Sequence, residues 1–250
     1  MHTTNIRTLC VLLLLAAAGI TATAEDKVLC VGNSFTFVND AHLRLAELAE
    51  SQGRDIKVKA VFEGGYTFRR HLCNDKTLKA LSGGPYDYVF LQDQSQTPAY
   101  LAESPKRCRL VLRDAKELAD RVRIYSRDAK IWIEQTWAYE KDNFGNFGSW
   151  ENFDRMLRRG AKKMARKSHA SVSPIGDAFA LCRQERPDIS LYKDDRHHQS
   201  EAGAYLKACV NYLLIYGEPF NAEATACGLD AEQAAYLRHA AERIVLKLKD

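Results

Sequence analysis

The sequence predicts an α/β fold built on a parallel central sheet, and three observations carry that prediction. Apolar runs of strand length alternate with helix-length segments from Lys27 onward, no repeat or low-complexity tract divides them, and the richest polar motifs stand just after the apolar runs. The runs are Val28 to Val31, Ile56 to Phe62, Tyr88 to Leu91, Ile131 to Ile133 and, more weakly, Ala170 to Ile175, which gives a sheet of about five strands. Ile56, Val58 and Ala60 alternate with Asp55, Lys57 and Lys59, as in an edge strand. Val28 to Val31 and Tyr88 to Leu91 are continuous, as in central strands buried on both faces. Leu43, Leu45, Ala46, Leu48 and Ala49 mark a helix that Gly53 can end, and Leu110 to Ile124 supplies a second. Ala202, Tyr205, Leu206, Cys209, Val210 and Leu213 recur at the spacing of an amphipathic helix, with Ser200 as its N-cap. A charged helix, Ala231 to Leu248, is expected to pack on the outside. Ala138 to Trp150, with its aromatics and glycines, reads as a long loop, and the basic run Arg158 to Lys167 as a solvated helix face.

Residues 1–24 stand apart from this pattern. Arg7 precedes the apolar run Leu9 to Ile20, and Ala22-Thr23-Ala24 follows, the arrangement of a secretory signal peptide with an A-x-A cleavage site. The run is shorter than the roughly 20 residues of a spanning helix, and no later segment approaches that length, so no membrane span is expected in the mature chain. Removal of the signal leaves 226 of 250 residues, a single domain over 25–250, secreted or periplasmic. Losing Arg7 lowers the formal net charge from +4 to +3, and the remaining Lys and Arg are spread among acids, so no nucleic-acid partner is implied. Six of the seven cysteines remain in a compartment that permits disulfides without requiring them. Cys30 and Cys209 lie in apolar patterns and read as buried thiols, and the pairing stays open.

In an open parallel sheet, ligands bind beyond the carboxyl ends of the strands. The first strand runs into Gly32-Asn33-Ser34, which sets a serine at a strand-to-helix turn. The second runs into Glu63-Gly64-Gly65, where missing side chains let a backbone N–H approach a ligand. The third enters Gln92-Asp93-Gln94-Ser95-Gln96, and the fourth Glu134-Gln135-Thr136-Trp137, which offers Trp137 as a candidate substrate contact, although a tryptophan after an apolar strand is more often partly buried packing. Asp194-Asp195-Arg196-His197-His198 comes just before the helix that follows Ser200. A serine hydroxyl is a weak nucleophile near neutral pH, so acyl transfer needs a base, an orienter for the base and donors for the oxyanion. An aspartate three residues before a histidine can hold Nδ1 and leave Nε2 to face the serine. The backbones of Ser34 and Gly65 and the side-chain amide of Gln94 can supply the oxyanion donors, with Gln92 as the rival amide.

This order, Gly-x-Ser, Gly, amide and Asp-x-x-His, resembles the SGNH/GDSL hydrolase superfamily over Lys27 to Leu214. The resemblance implies a flavodoxin-like three-layer fold, no metal or other cofactor, and hydrolysis of esters, commonly acyl groups on carbohydrates or lipids. Matched by position, Ser34 is the nucleophile, Asp195 and His198 the closing pair, and Gly65 the glycine donor, because the family's glycine usually stands two residues before a Thr or Ser, here Thr67. The chain departs from the family in Asn33 for the frequent aspartate, in Gln94 for the usual asparagine, and in Gln199 for the proline that often follows the histidine. Both Asp194 to His197 and Asp195 to His198 satisfy the Asp-x-x-His spacing, and Ser200 and Gly203 continue the family's closing block in favour of the second.

The expected reaction is therefore hydrolysis of an O-acyl ester, acetyl first, on a small-molecule or polysaccharide carbohydrate substrate. A lipid esterase or thioesterase is the alternative within the same chemistry, and a carbohydrate-binding relic without turnover is the alternative outside it. Asp195, His197 and His198 as metal ligands are disfavoured, because adjacent histidines seldom reach one ion together. Surface or capping roles are expected for His42 and His71, and an exposed position for His169.

Overall fold

The computed structural model describes residues 24–106, 108–140 and 147–248, so the expected signal peptide lies outside the described residues except for Ala24. Five strands, β1 (Asp26–Gly32), β2 (Ile56–Phe62), β3 (Tyr88–Leu91), β4 (Lys130–Glu134) and β5 (Ser171–Ser173), form one sheet in the order β2-β1-β3-β4-β5. Every neighbouring pair is parallel. Gly32 pairs with Phe62 and Val31 with Leu91, so the carboxyl ends of β1, β2 and β3 finish level with one another. The strand order reverses between β1 and β3, the place where a doubly wound sheet opens a crevice.

Alternation along the strands divides the core in two. Val28, Cys30, Phe90 and Trp132 pack with α2 (Ala41–Ser51), α8 (Ile175–Glu185), α9 (Glu201–Tyr216) and α10 (Ala231–Leu246). Leu29, Val31, Val89, Leu91, Ile131 and Ile133 pack on the other face with α4 (Asp75–Ser82), α6 (Arg109–Tyr125) and α7 (Trp150–Ser168). Three layers result. Each fully buried Leu, Val or Phe contributes about 1.5–3 kcal/mol relative to exposure, which is why the continuous apolar strands sit in the middle. Short helices α1 (Ser34–Phe37), α3 (Phe68–Leu72) and α5 (Thr97–Glu103) follow β1, β2 and β3 and carry the strand-end motifs.

Several expectations are corrected. The last strand stops at Ser173, because Pro174 leads into α8 and Ile175 is that helix's first residue. The α9 helix has no solvated face over most of its length: α2, α8 and α10 cover it, and Lys207 and Asn211 are each 3% exposed. Ser149 caps α7, accepting from Asn152 N–H at 3.1 Å, so the expected loop ends one residue earlier; its residues 141–146 lie outside the described residues. The basic run occupies the outer face of α7, whose inner face buries Leu157, Ala161, Met164 and Ala165. At Gly160 a Cβ would stand 1.8 Å from the Pro98 carbonyl oxygen, so α7 and the backbone of α5 touch directly. The six cysteines among the described residues are free thiols, with Cys30 and Cys209 buried. No described helix is long and apolar enough to cross a membrane.

Candidate active site

Ser34 is the first residue of α1 and is half-buried. Its turn is held through the neighbouring Asn33, which is 2% exposed and bonded on every side. The Asn33 N–H donates to Gln92 Oε1 at 3.1 Å, its Nδ2 donates to the carbonyls of Tyr66 at 3.0 Å and Asp93 at 3.2 Å, and its Oδ1 accepts from Phe35 N–H at 3.2 Å. One side chain therefore ties the ends of β1, β2 and β3 together. The motif singled out Ser34; the positioning work of its neighbour was legible only in three dimensions.

Gln92 is 1% exposed and fully engaged: Oε1 accepts from Asn33 N–H and from Thr36 Oγ1 at 3.3 Å, while Nε2 donates to the Asp93 carbonyl. Gln94 is only half-buried, and its Oε1 is anchored by Gln96 N–H at 2.9 Å. Its Nε2 makes only a long contact, 3.4 Å, to Ser95 Oγ. Of the two amides, Gln94 is thus the one whose donor end is turned out. Asp93, between them, is 4% exposed, and its Oδ1 accepts from Phe68 N–H at 3.0 Å and Gln94 N–H at 2.7 Å. Burial outweighs those two bonds and pushes its carboxyl up to about 7. Gly65 is exposed in the left-handed region at φ 67°, on a turn closed by Tyr66 N–H to the Glu63 carbonyl at 3.2 Å. That conformation favours glycine and keeps side chains away from the amide.

The closing loop brings Asp195 and His198 together in the expected register. Its two arms are joined by a bridge between Tyr192 and Gln199 and by Lys193 N–H to the His198 carbonyl at 2.9 Å. Asp195 Oδ2 lies 2.7 Å from His198 Nδ1, while Oδ1 accepts the N–H groups of His197 at 3.0 Å and His198 at 2.9 Å. Burial by itself would raise this carboxyl, but the His198 ring and the two amides more than offset it and hold Asp195 well below the usual carboxylate range. With Nδ1 engaged, Nε2 is the nitrogen left to act. The His198 ring meets Phe35, the residue after Ser34, edge to face at 5.5 Å, and Gln199 Nε2 donates to the Phe35 and Val38 carbonyls at 3.3 and 2.8 Å. The histidine loop is therefore stitched to the serine turn. His197 stays in the same cluster: its ring lies 4.0 Å from that of His198 and 5.3 Å from that of Tyr139, and its Nδ1 is 3.1 Å from both the backbone oxygen and Oδ1 of Asp195. Ligand atoms of Asp195, His197 and His198 lie within 4.8 Å of one another, but both Asp195 oxygens are already used by these hydrogen bonds, an arrangement that suits an orienting carboxylate.

Trp137 does not offer an aromatic face to a ligand. It is 1% exposed, stacked between Phe35 at 4.4 Å and Phe179 at 4.2 Å, and its Nε1 donates to the His197 carbonyl at 3.0 Å. Its role is that of a spacer between the serine turn and the histidine loop. His71 is likewise no surface residue: it is fully buried, with Nε2 donating to the Gly32 carbonyl and Nδ1 accepting from Thr77 Oγ1, both at 2.9 Å. His42 is half-buried and rests its Nδ1 3.3 Å from the Thr36 carbonyl, whereas His169 is exposed at the end of α7.

No family model matches the sequence, and no curated protein matches it. Solved structures do. A DUF4886 family protein from Bacteroides uniformis superposes with a TM-score of 0.73 at 22% identity, over 89% of this chain and 95% of that one. A candidate SGNH hydrolase from Slackia heliotrinireducens gives 0.60 at 24% identity, over 76% and 99%. Axe2, an acetylxylan esterase from Geobacillus stearothermophilus, gives 0.55 at 15% identity, over 76% and 93%.

Proposed function

We propose that this chain, which has the fold of the SGNH/GDSL hydrolases, is an exported serine esterase that removes an O-acyl group, acetyl first, from a carbohydrate. The observation that carries the reading is the Asp195–His198 pair at 2.7 Å, oriented through Nδ1 and stitched by Gln199 to the turn that holds Ser34. Ser34 Oγ attacks the ester carbonyl as His198 Nε2 takes its proton, and Asp195 stabilises the imidazolium. The Ser34 and Gly65 amides and Gln94 Nε2 receive the oxyanion. Collapse returns the proton to the leaving alcohol, and water, activated by the same imidazole, then releases the acid from the acyl-serine. No cofactor takes part in these steps.

Support for a polar substrate comes from the strand ends, where Gln94, Ser95 and Tyr139 cluster and Ser95 Oγ lies 2.5 Å from Tyr139 OH. Support for export is the Arg7, Leu9 to Ile20 and Ala22-Thr23-Ala24 pattern. The test is fluorophosphonate labelling of the purified protein, followed by turnover of acetylated oligosaccharides and of p-nitrophenyl esters of graded chain length. Labelling at Ser34 with preference for acetyl is the expected result. Preference for long acyl chains would replace the carbohydrate assignment by a lipid esterase or thioesterase, and absence of both labelling and turnover would leave a binding domain.

A further inference from the structure

Beneath the serine turn lies a buried ion pair that the proposed chemistry does not use. The side chains of Lys207 and Glu134 are 4% and 3% exposed, and Lys207 Nζ donates to Glu134 Oε2 at 2.5 Å. Asn211, one turn further along α9, donates to Glu134 Oε1 at 3.0 Å and accepts from Ser173 Oγ at 2.8 Å. Lys207 Nζ also donates to the Phe35 carbonyl at 3.0 Å. A continuous polar chain thus runs from β5 through α9 and β4 to the residue beside Ser34.

Stability does not explain such a pair, since a well-packed apolar pair of the same volume is often as stable or more so. Its distinctive product is the bond to Phe35. A single-turn helix leaves its last carbonyls without partners of its own. In α1 the Ser34 carbonyl is taken by Val38 N–H, whereas the Phe35 carbonyl accepts from Lys207 and, at 3.3 Å, from Gln199. An ammonium carries three donors and makes stronger bonds than a neutral donor, so it can serve the carboxylate and the carbonyl together. Glu134 supplies the opposite charge that a cation at this depth needs as a partner.

We propose that Lys207, held by Glu134, is a positioning residue that fixes the Ser34 turn against the His198 loop. The Phe35 carbonyl is where α9 and the histidine loop meet on that turn, and a displacement of about 1 Å between reacting groups can cost on the order of a hundredfold in rate. The inference rests on the serine esterase reading for its effect on rate, and on the hydrogen bonds alone for its effect on the turn.

The test pairs Lys207→Met/Glu134→Gln with Ser173→Ala. In the double variant both charges leave together, and the new amide can still accept from Asn211. Its melting temperature should hold or rise, while kcat and the rate of fluorophosphonate inactivation fall roughly ten- to a hundredfold with little change in KM. Ser173→Ala should lose melting temperature and keep kcat. A folded double variant with wild-type kcat overturns the proposal, as does a kcat that simply tracks melting temperature across both variants. Hydrogen exchange reads the turn directly: in the wild type the Thr36 and Val38 amides should be protected with α9, and the double variant should lose that protection. Loop-like exchange at those amides in the wild type overturns the proposal even if the variant fails to fold. A wild type that neither labels nor hydrolyses esters would sink the esterase reading, and the exchange comparison would still decide whether Lys207 holds the turn.

Discussion

Two histidines stand beside the serine turn, and they differ in how many of their ring nitrogens are already bonded. His71 is fully buried and spends both nitrogens, on the Gly32 carbonyl and on Thr77 Oγ1. His198 keeps 22% of its side chain exposed and spends only Nδ1, on Asp195. Burial lowers the pKa of His71 and holds it neutral, so it works as a fixed donor to the last residue of β1. A ring anchored on one side by a carboxylate, with its other nitrogen unbonded among the described residues, has the arrangement that the proposed proton transfer requires. Residue type and proximity to Ser34 are shared; the number of nitrogens already bonded is what differs.

The sharpest way to break this comparison is to remove each member of the reactive set. Ser34→Ala and His198→Ala should each lower kcat by more than about a thousandfold with the fold intact, and His197→Ala should cost less than about tenfold. Asp195→Asn should be far more damaging than Asp194→Asn. Near-normal turnover in His198→Ala with collapse in His197→Ala would move the dyad back by one residue. Next in size, Gln94→Ala should reduce kcat by roughly a hundredfold at nearly constant KM, because an oxyanion bond strengthens in the transition state. Unchanged kcat there would leave the oxyanion to the backbone amides.

His71→Leu should show the opposite profile, with kcat of the folded protein within a few-fold of wild type and stability lower by about 2 kcal/mol or more, because the Gly32 carbonyl loses its buried donor. The wild-type histidine binds protons more readily unfolded than folded. Its contribution to stability is therefore present above about pH 6.5 and lost as pH falls toward its lowered folded value, a dependence that the leucine variant should lack. Asp93 has the reverse sign, and its effect is on stability rather than on turnover. Its carboxyl is raised from 3.8 to about 7, so the folded state holds the extra proton and stability falls as pH rises through that interval. Asp93→Asn keeps an acceptor for Phe68 and Gln94 and should flatten this slope in pH-dependent denaturant melts; an unaltered slope would show that Asp93 is ionised throughout.

Much of the architecture was legible because strands buried on both faces must be continuously apolar. Val28 to Val31 and Tyr88 to Leu91 declared themselves central, and the lysines of β2 declared an edge. The order of polar motifs at successive strand ends brought Ser34, Gly65, Gln94, Asp195 and His198 forward together. Periodicity could not tell that α9 is covered on every side, since that depends on α10 packing over it, and so Lys207 passed unremarked. Nor could it distinguish a tryptophan at a strand end that faces solvent from one stacked between Phe35 and Phe179. His71 lacked any local signal, because its partners Gly32 and Thr77 meet it only once the sheet has formed.

The contact at Gly160 extends the site's sensitivity to the far side of α7. With Pro98 backbone atoms within 2.6 Å of where a Cβ would stand, even a methyl group must push α5 away. That helix begins directly after the turn in which Gln94 Oε1 holds Gln96 N–H, so its displacement is handed to the amide proposed above as an oxyanion donor. A map of mutational tolerance for turnover would therefore carry a dark spot on a residue that touches neither substrate nor dyad, and a search for improved variants confined to the pocket walls would pass over a position able to silence them.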